Sequence, residues 1–148
     1  MMSDRIATRQ QLTLVGLGLR TNDAAELAGF GKIAAAWRAF VEEKVQARIP
    51  NQVHATATYV AYYDYEGAQK ENYSYLLGAA VRDGTPAPEG MTCLVVPAAK
   101  YLVVEVLSAA EVPAAWRGIA DAGLHRTFTT DLECHRHRQK VEIYVAVA

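Results

Sequence analysis

Ala34-Ala35-Ala36-Trp37-Arg38-Ala39-Phe40 in the first half of the chain is echoed by Pro113-Ala114-Ala115-Trp116-Arg117-Gly118-Ile119 in the second. The two stretches share A-A-W-R in register. Each sits in a helical pattern, with Ile33, Trp37, Phe40, Val41 and Val45 in one and Val112, Trp116 and Ile119 in the other. A segment repeated in this way points to internal duplication, so the surroundings of the two copies should match.

They do match in type and order. Gln11–Arg20 reads as a strand before the first helix, and Thr21-Asn22-Asp23 supplies N-cap chemistry. Pro50 closes that helical stretch because it cannot continue a helix and disfavours helical geometry at Ile49. His54–Tyr65 and Tyr73–Arg82, rich in Thr, Val and Tyr, are expected to form an antiparallel hairpin across the polar turn Glu66–Asn72. Asp83–Gly90 is a Pro- and Gly-dense loop. In the second half Lys100–Ser108 precedes the helix, Gly123 ends it, and Arg126–His135 and Lys140–Val147 follow as strands.

The expected fold is therefore α+β. Two pseudo-symmetric β-α-β-β repeats, about 9–83 and 91–148, form an antiparallel sheet with two helices, and Met91–Val96 is a short extra strand at the join. The 148 residues make one domain's worth of chain, large enough to fold without disulfide or metal staples. A net charge of −1 lacks the positive field that nucleic-acid binding needs. Met1–Gln11 has no apolar signal core, and no apolar run is long enough to span a bilayer. Cys93 and Cys134 lie in apolar, strand-like runs and read as buried free thiols, in keeping with a cytoplasmic protein.

Six of the eight tyrosines (Tyr59, Tyr62, Tyr63, Tyr65, Tyr73 and Tyr75) crowd into the expected hairpin. Alternation places Tyr59, Tyr63 and Tyr65 on one face and Tyr62 on the other. Such residues serve either as cross-strand packing or as an aromatic wall for a flat or cationic ligand. In Asp131-Leu132-Glu133-Cys134-His135 the apolar Leu132 and Cys134 point to the core, which sends Glu133 to the opposite face. There it is either a solvated surface carboxylate or a carboxylate among aromatics, able to bind a cation or to do acid–base work. Tyr144 lies opposite the apolar face of Val141, Ile143 and Val145, so Glu133 and Tyr144 are expected to project together from paired strands. Trp37 and Trp116 read as core-facing helix residues or as the border of a groove between the repeats. Cys134-His135-Arg136-His137, flanked by Arg138 and Lys140, reads as a solvated turn rather than a metal site, since no second ligand cluster accompanies it. Gly16-Leu17-Gly18 lacks the third glycine of a dinucleotide fingerprint, so no cofactor is expected.

The repeated order, the segments Ala36–Phe40 and Ala115–Ile119, and Tyr73-Ser74-Tyr75-Leu76-Leu77-Gly78 resemble the GyrI-like family, the AraC-type effector-binding domains also found in multidrug-sensing regulators. Lys100–Val104 after Val96-Pro97-Ala98 is similar to the family's entry into its second repeat. Leu132-Glu133-Cys134-His135 and Val141–Val147 are similar to its C-terminal motifs. The resemblance implies an aromatic pocket at the junction of the repeats with a central glutamate for cationic lipophilic compounds. Glu133 matches that glutamate and Tyr144 a pocket tyrosine; Tyr62, Tyr75 and Trp37 are further wall candidates, and His135 stands where relatives often have an aromatic. Only about ten residues precede the first expected strand, so the chain resembles stand-alone members, including those of mobile gene cassettes, rather than regulators with a helix-turn-helix module. The expected function is binding of small hydrophobic or cationic ligands, without direct nucleic-acid or membrane contact, and with a protein partner or homodimer left open. The alternatives are a hydrolase of strained electrophilic natural products using Glu133 and Tyr144, and a modulator of another protein such as a topoisomerase.

Overall fold

The structure is a computed structural model that describes residues 3–137 and 140–148, so Arg138 lies outside the described residues. The first half comprises β1 (Ser3–Arg9), β2 (Leu12–Asn22), α1 (Asp23–Leu27), α2 (Ile33–Glu42), β3 (Ala57–Glu66) and β4 (Asn72–Val81). The second comprises β5 (Thr92–Val96), β6 (Ala99–Val106), α3 (Val112–Asp121), β7 (Thr130–Arg136) and β8 (Val141–Ala146). All pairings are antiparallel, in one sheet of order β1-β6-β8-β7-β3-β4-β2-β5. The fold is α+β, and the halves pair at β3–β7, in the middle of the sheet, as well as at β1–β6 and β2–β5 near its edges.

The repeat is larger than the sequence suggests. The polar segment before β2 is itself a strand, so each half is β-β-α-β-β rather than β-α-β-β, and the lead-in to β2 is part of the sheet. Alternating Arg5, Ala7 and Arg9 with Asp4, Ile6 and Thr8 gave that strand no apolar signature, because it lies at the sheet edge. The first helical stretch is also two helices, not one. Asn22 caps α1 by accepting from the Ala25 N–H at 2.8 Å, and Gly29, at φ 84°, takes the left-handed turn that separates α1 from α2. Among the described residues three α-helices therefore replace the expected two.

The leading strands are exchanged between the halves. β1 runs into β2 but pairs with β6, whereas β5 runs into β6 but pairs with β2. Each link is only two residues long, Gln10-Gln11 and Pro97-Ala98. In a flat sheet the linked strands would stand six spacings apart, roughly 29 Å at about 4.8 Å each. Two linking residues reach no further than about 11 Å. The sheet therefore has to roll until its two edges approach.

Rolling gives the sheet an inside. Leu14, Tyr59, Leu76, Tyr101, Val103, Leu132, Cys134 and Tyr144 form an inner core drawn entirely from strands, with Ala7 of β1 and Leu94 of β5 joining from opposite edges. On the outside, α2 packs Phe40, Ala36 and Trp37 against Val15, Val60, Tyr75 and Leu77. The second helix, α3, packs Val112, Ala115 and Ile119 against Val104, Val141, Ile143 and Val145. No helix among the described residues is long and apolar enough to cross a membrane. Both cysteines are free; Cys134 is buried as expected, but Cys93 is exposed because the edge strand β5 leaves it uncovered.

Gly16 and Gly78 face each other across β2 and β4. A Cβ on Gly16 would lie 2.1 Å from the Leu77 carbonyl oxygen, and one on Gly78 would lie 2.0 Å from that of Val15. Both obstacles are backbone and cannot rotate away. Gly16→Ala should therefore destabilise the fold by about 1–3 kcal/mol. Gly118→Ala, in the exposed interior of α3 with nothing within 4 Å of the new methyl, should instead stabilise it by about 0.5–1 kcal/mol. Equilibrium denaturation of both variants checks the pair; equal shifts would show that the close approach of β2 and β4 is not a constraint.

Candidate functional site

On β7, alternation sends Leu132 and Cys134 to the inner core and Asp131, Glu133 and His135 to the outer face, beneath the gap between α2 and α3. Cys134 and His135 thus leave the strand on opposite sides, and the Cys-His-Arg-His run does not converge on a point. Glu133 is only 2% exposed. Its Oε2 accepts from the Tyr62 hydroxyl of β3 at 2.5 Å and from Trp116 Nε1 of α3 at 2.7 Å. Its Oε1 lies 2.7 Å from His135 Nε2. One carboxylate thus ties α3 to the strand pair at the seam, held by hydrogen bonds that burial makes costly to lose.

An aromatic shell surrounds it. The Tyr62 ring meets Trp116 and Tyr75 edge-on, each at 5.2 Å between centroids, and Tyr73 at 5.6 Å. Trp37 of α2 donates its indole N–H to the Tyr75 hydroxyl at 2.8 Å and packs on His135 at 5.0 Å. The two tryptophans of the repeated A-A-W-R segments therefore stand on either side of the seam, each anchored through its N–H. Five of the residues singled out in the sequence, Glu133, Tyr62, Tyr75, Trp37 and Trp116, are brought together.

Tyr144 is not among them. It pairs with Leu132, not Glu133, and lies in the inner core with its ring 5.7 Å from Tyr101. The expectation erred by treating Val141, Ile143 and Val145 as the only buried face of β8. In the rolled sheet both faces are buried, so lying opposite that apolar face places Tyr144 beside Tyr101 and Leu132. The Glu133–Tyr144 pair is not formed, and the hydroxyl that meets Glu133 is that of Tyr62.

Tyr65 is the opposite case. A register shift between Tyr63 and Glu66, with Asp64 at φ 50°, inserts an extra residue and turns Tyr65 to the Tyr62 side. Its hydroxyl donates to Asp131 Oδ2 at 2.6 Å. Asp131, fully buried, also accepts from Arg126 Nη2 at 2.8 Å and from the Ala146 N–H at 2.8 Å. The sequence does not single out Asp131 or Arg126, marks His135 only as standing where relatives often have an aromatic, and assigns Tyr65 to the face opposite Tyr62. Asp131 and His135 are within its reach, since the alternation that places Glu133 outward places both of them with it. Arg126 reads there as the start of the strand Arg126–His135, but β7 begins only at Thr130 and Arg126 lies in the irregular segment before it.

All eight tyrosines are harder to ionise than a free phenol. Burial is the main cause, and the Glu133 carboxylate adds to it at Tyr62 and Tyr75, as Asp131 does at Tyr65. In the inner core burial, with Cys134 alongside, pushes Tyr59 up to about 12 from 10.0. The unfolded chain releases these protons first. This stability is therefore complete below about pH 10 and lost as pH rises toward 12. Phenolate absorbance should rise late, together with loss of circular dichroism. A gradual rise centred near pH 10, ahead of unfolding, would show that the tyrosines are not held as described.

The sequence profile described as "Cass2: Integron-associated effector binding protein" matches residues 5–147. No curated protein sequence matches at a significant level. Among solved structures, an integron cassette protein from the mobile metagenome of Vibrio cholerae superposes with a TM-score of 0.80 at 20% identity, covering 98% of this chain and 95% of that one. SAV2435, solved bound to tetraphenylphosphonium, superposes with a TM-score of 0.77 at 15% identity, covering 99% and 94%. EcmrR, solved in a DNA complex, gives a TM-score of 0.57 at 13% identity, with 99% of this chain matching 58% of that one. With its profile matched almost end to end on a rolled sheet of two exchanged halves, the chain belongs to the Cass2 family of integron-associated effector-binding proteins.

Proposed function

We propose that this protein binds small hydrophobic cations at the seam between its halves, with Glu133 as the counter-charge and Tyr62, Tyr75, Trp37 and Trp116 as the wall. The observation that carries this reading is the setting of Glu133. It is a buried carboxylate whose partners at the seam are a phenol, an indole and an imidazole, in an aromatic shell that suits a flat or lipophilic cation. Membership of an effector-binding family supports it, as does a fold shared with a protein solved with a lipophilic cation.

Of the groups that now satisfy Glu133, Tyr62 and His135 are fixed on the sheet strands β3 and β7, whereas Trp116 is carried on the outer helix α3. Trp116 is half-buried at the outer edge of the shell, so a cation that displaces its N–H from the carboxylate gains a charge-assisted contact and keeps the indole as a stacking face. The protein would act as a sensor partner or a sequestering agent. Hydrolysis through Glu133 and Tyr144 is not favoured, since these side chains lie on opposite faces of the sheet.

Glu133→Gln keeps the shape and removes the charge. It should weaken tetraphenylphosphonium by about 2–5 kcal/mol while leaving the neutral triphenylphosphine oxide nearly unchanged. Calorimetry measures both, and quenching of Trp37 and Trp116 fluorescence gives a second readout. Equal losses for the two ligands would sink the electrostatic role of Glu133.

A further inference from the structure

The outer face of β7 carries a second buried carboxylate beside Glu133. Asp131 stands two residues away on the same face, roughly 6.5 Å along the strand. Its setting repeats that of Glu133: a β3 tyrosine hydroxyl donates to each, Tyr65 to Asp131 and Tyr62 to Glu133. Trp116 is common to both, with its N–H on Glu133 and its ring 5.7 Å from the Arg126 guanidinium that pairs with Asp131. The difference is the occupant. Asp131 already holds a flat cation, because Arg126 lies over the Phe128 ring at 4.3 Å as well as beside Trp116.

That occupant fits poorly. Arg126 Nε is buried without a hydrogen-bond partner among the described residues, so its desolvation is not repaid. The segment that delivers it is irregular and holds Phe128 at φ 52°, a left-handed conformation that a bulky residue rarely adopts. It is pinned to the sheet by the Thr127 N–H on the Ala146 carbonyl at 3.1 Å and by Phe128 against Tyr65 at 5.4 Å. Tyr65 in turn lines an open groove of about 490 Å³ with Arg20, Asp64, Glu66 and Ser74.

We propose that the seam is a two-carboxylate cation site whose Asp131 half is filled by the chain's own Arg126. Its preferred ligands are flat aromatic dications, which place one cationic centre on Asp131 in place of Arg126 and the other at Glu133. This rests on the reading of Glu133 as a cation site and extends it to a second centre. Arg126 then acts as an internal stand-in for ligand: it keeps Asp131 compensated when the site is free, and monocations leave it in place.

Methyl viologen and N-methyl-4-phenylpyridinium share one ring skeleton and carry two charges and one. Calorimetric titration of both into the wild-type protein, Arg126→Gln, Arg126→Lys and the paired Arg126→Gln/Asp131→Asn variant tests the proposal, with circular dichroism reporting folding. The wild-type protein should prefer the dication by at least tenfold. That preference should widen at least tenfold in Arg126→Gln, where no internal cation competes, and widen less in Arg126→Lys, whose point charge stacks poorly. It should vanish in the paired variant while the monocation still binds. If Arg126→Gln does not fold, Arg126→Lys and the paired variant decide. Intact monocation binding with an unchanged preference in every folded form would overturn the proposal and leave Arg126–Asp131 a structural ion pair. Absence of monocation binding from every folded form, with or without dication binding, would overturn the Glu133 reading and with it the two-carboxylate site.

Discussion

Two links of two residues govern this structure. Gln10-Gln11 and Pro97-Ala98 join strands that the pairing order places six positions apart, and so short a tether can be satisfied only if the sheet rolls. The roll divides the molecule into an inside and an outside. Inside, strand residues from both edges close on one another and need no helix. Outside, α2 and α3 each take one half of the sheet and leave the seam between them.

Chemistry collects at the seam, where helix tryptophans cover polar side chains on the sheet's outward face at β7. Elsewhere on that face the helices bury Val, Leu and Ile. Over β7 and β3 the two helices present tryptophans, and beneath them lie Asp131, Glu133 and His135 with the tyrosines of β3 and β4. A buried carboxylate has to be hydrogen-bonded. Indole N–H, phenol O–H and imidazole groups do this at Glu133, and the same aromatic faces suit a cation. At Asp131 the chain supplies its own cation, and the neighbouring carboxylates differ mainly in that respect.

Much of the plan was legible in the chain. The A-A-W-R repeat, the strand alternation and the Pro and Gly punctuation are local signals, and they carried the duplication, the helices and the outward direction of Glu133. Each error has its own physical cause. β1 went unrecognised because an edge strand needs no continuous apolar face. Tyr144 was misplaced because β8 is buried on both sides, and alternation cannot say which buried side is the site. Tyr65 was misplaced because one bulge residue, Asp64, reverses the alternation after it.

By itself the sequence determined the repeat, the element types and the residue classes available for a site, since these depend on contacts within a few residues along the chain. Only the tertiary structure decided which aromatics meet Glu133, that Tyr144 does not, and that Arg126 comes to rest on Asp131. Those outcomes depend on the exchange of β1 and β5 and on the roll it enforces. They are set by strands distant in sequence becoming neighbours in space, and no local pattern records that.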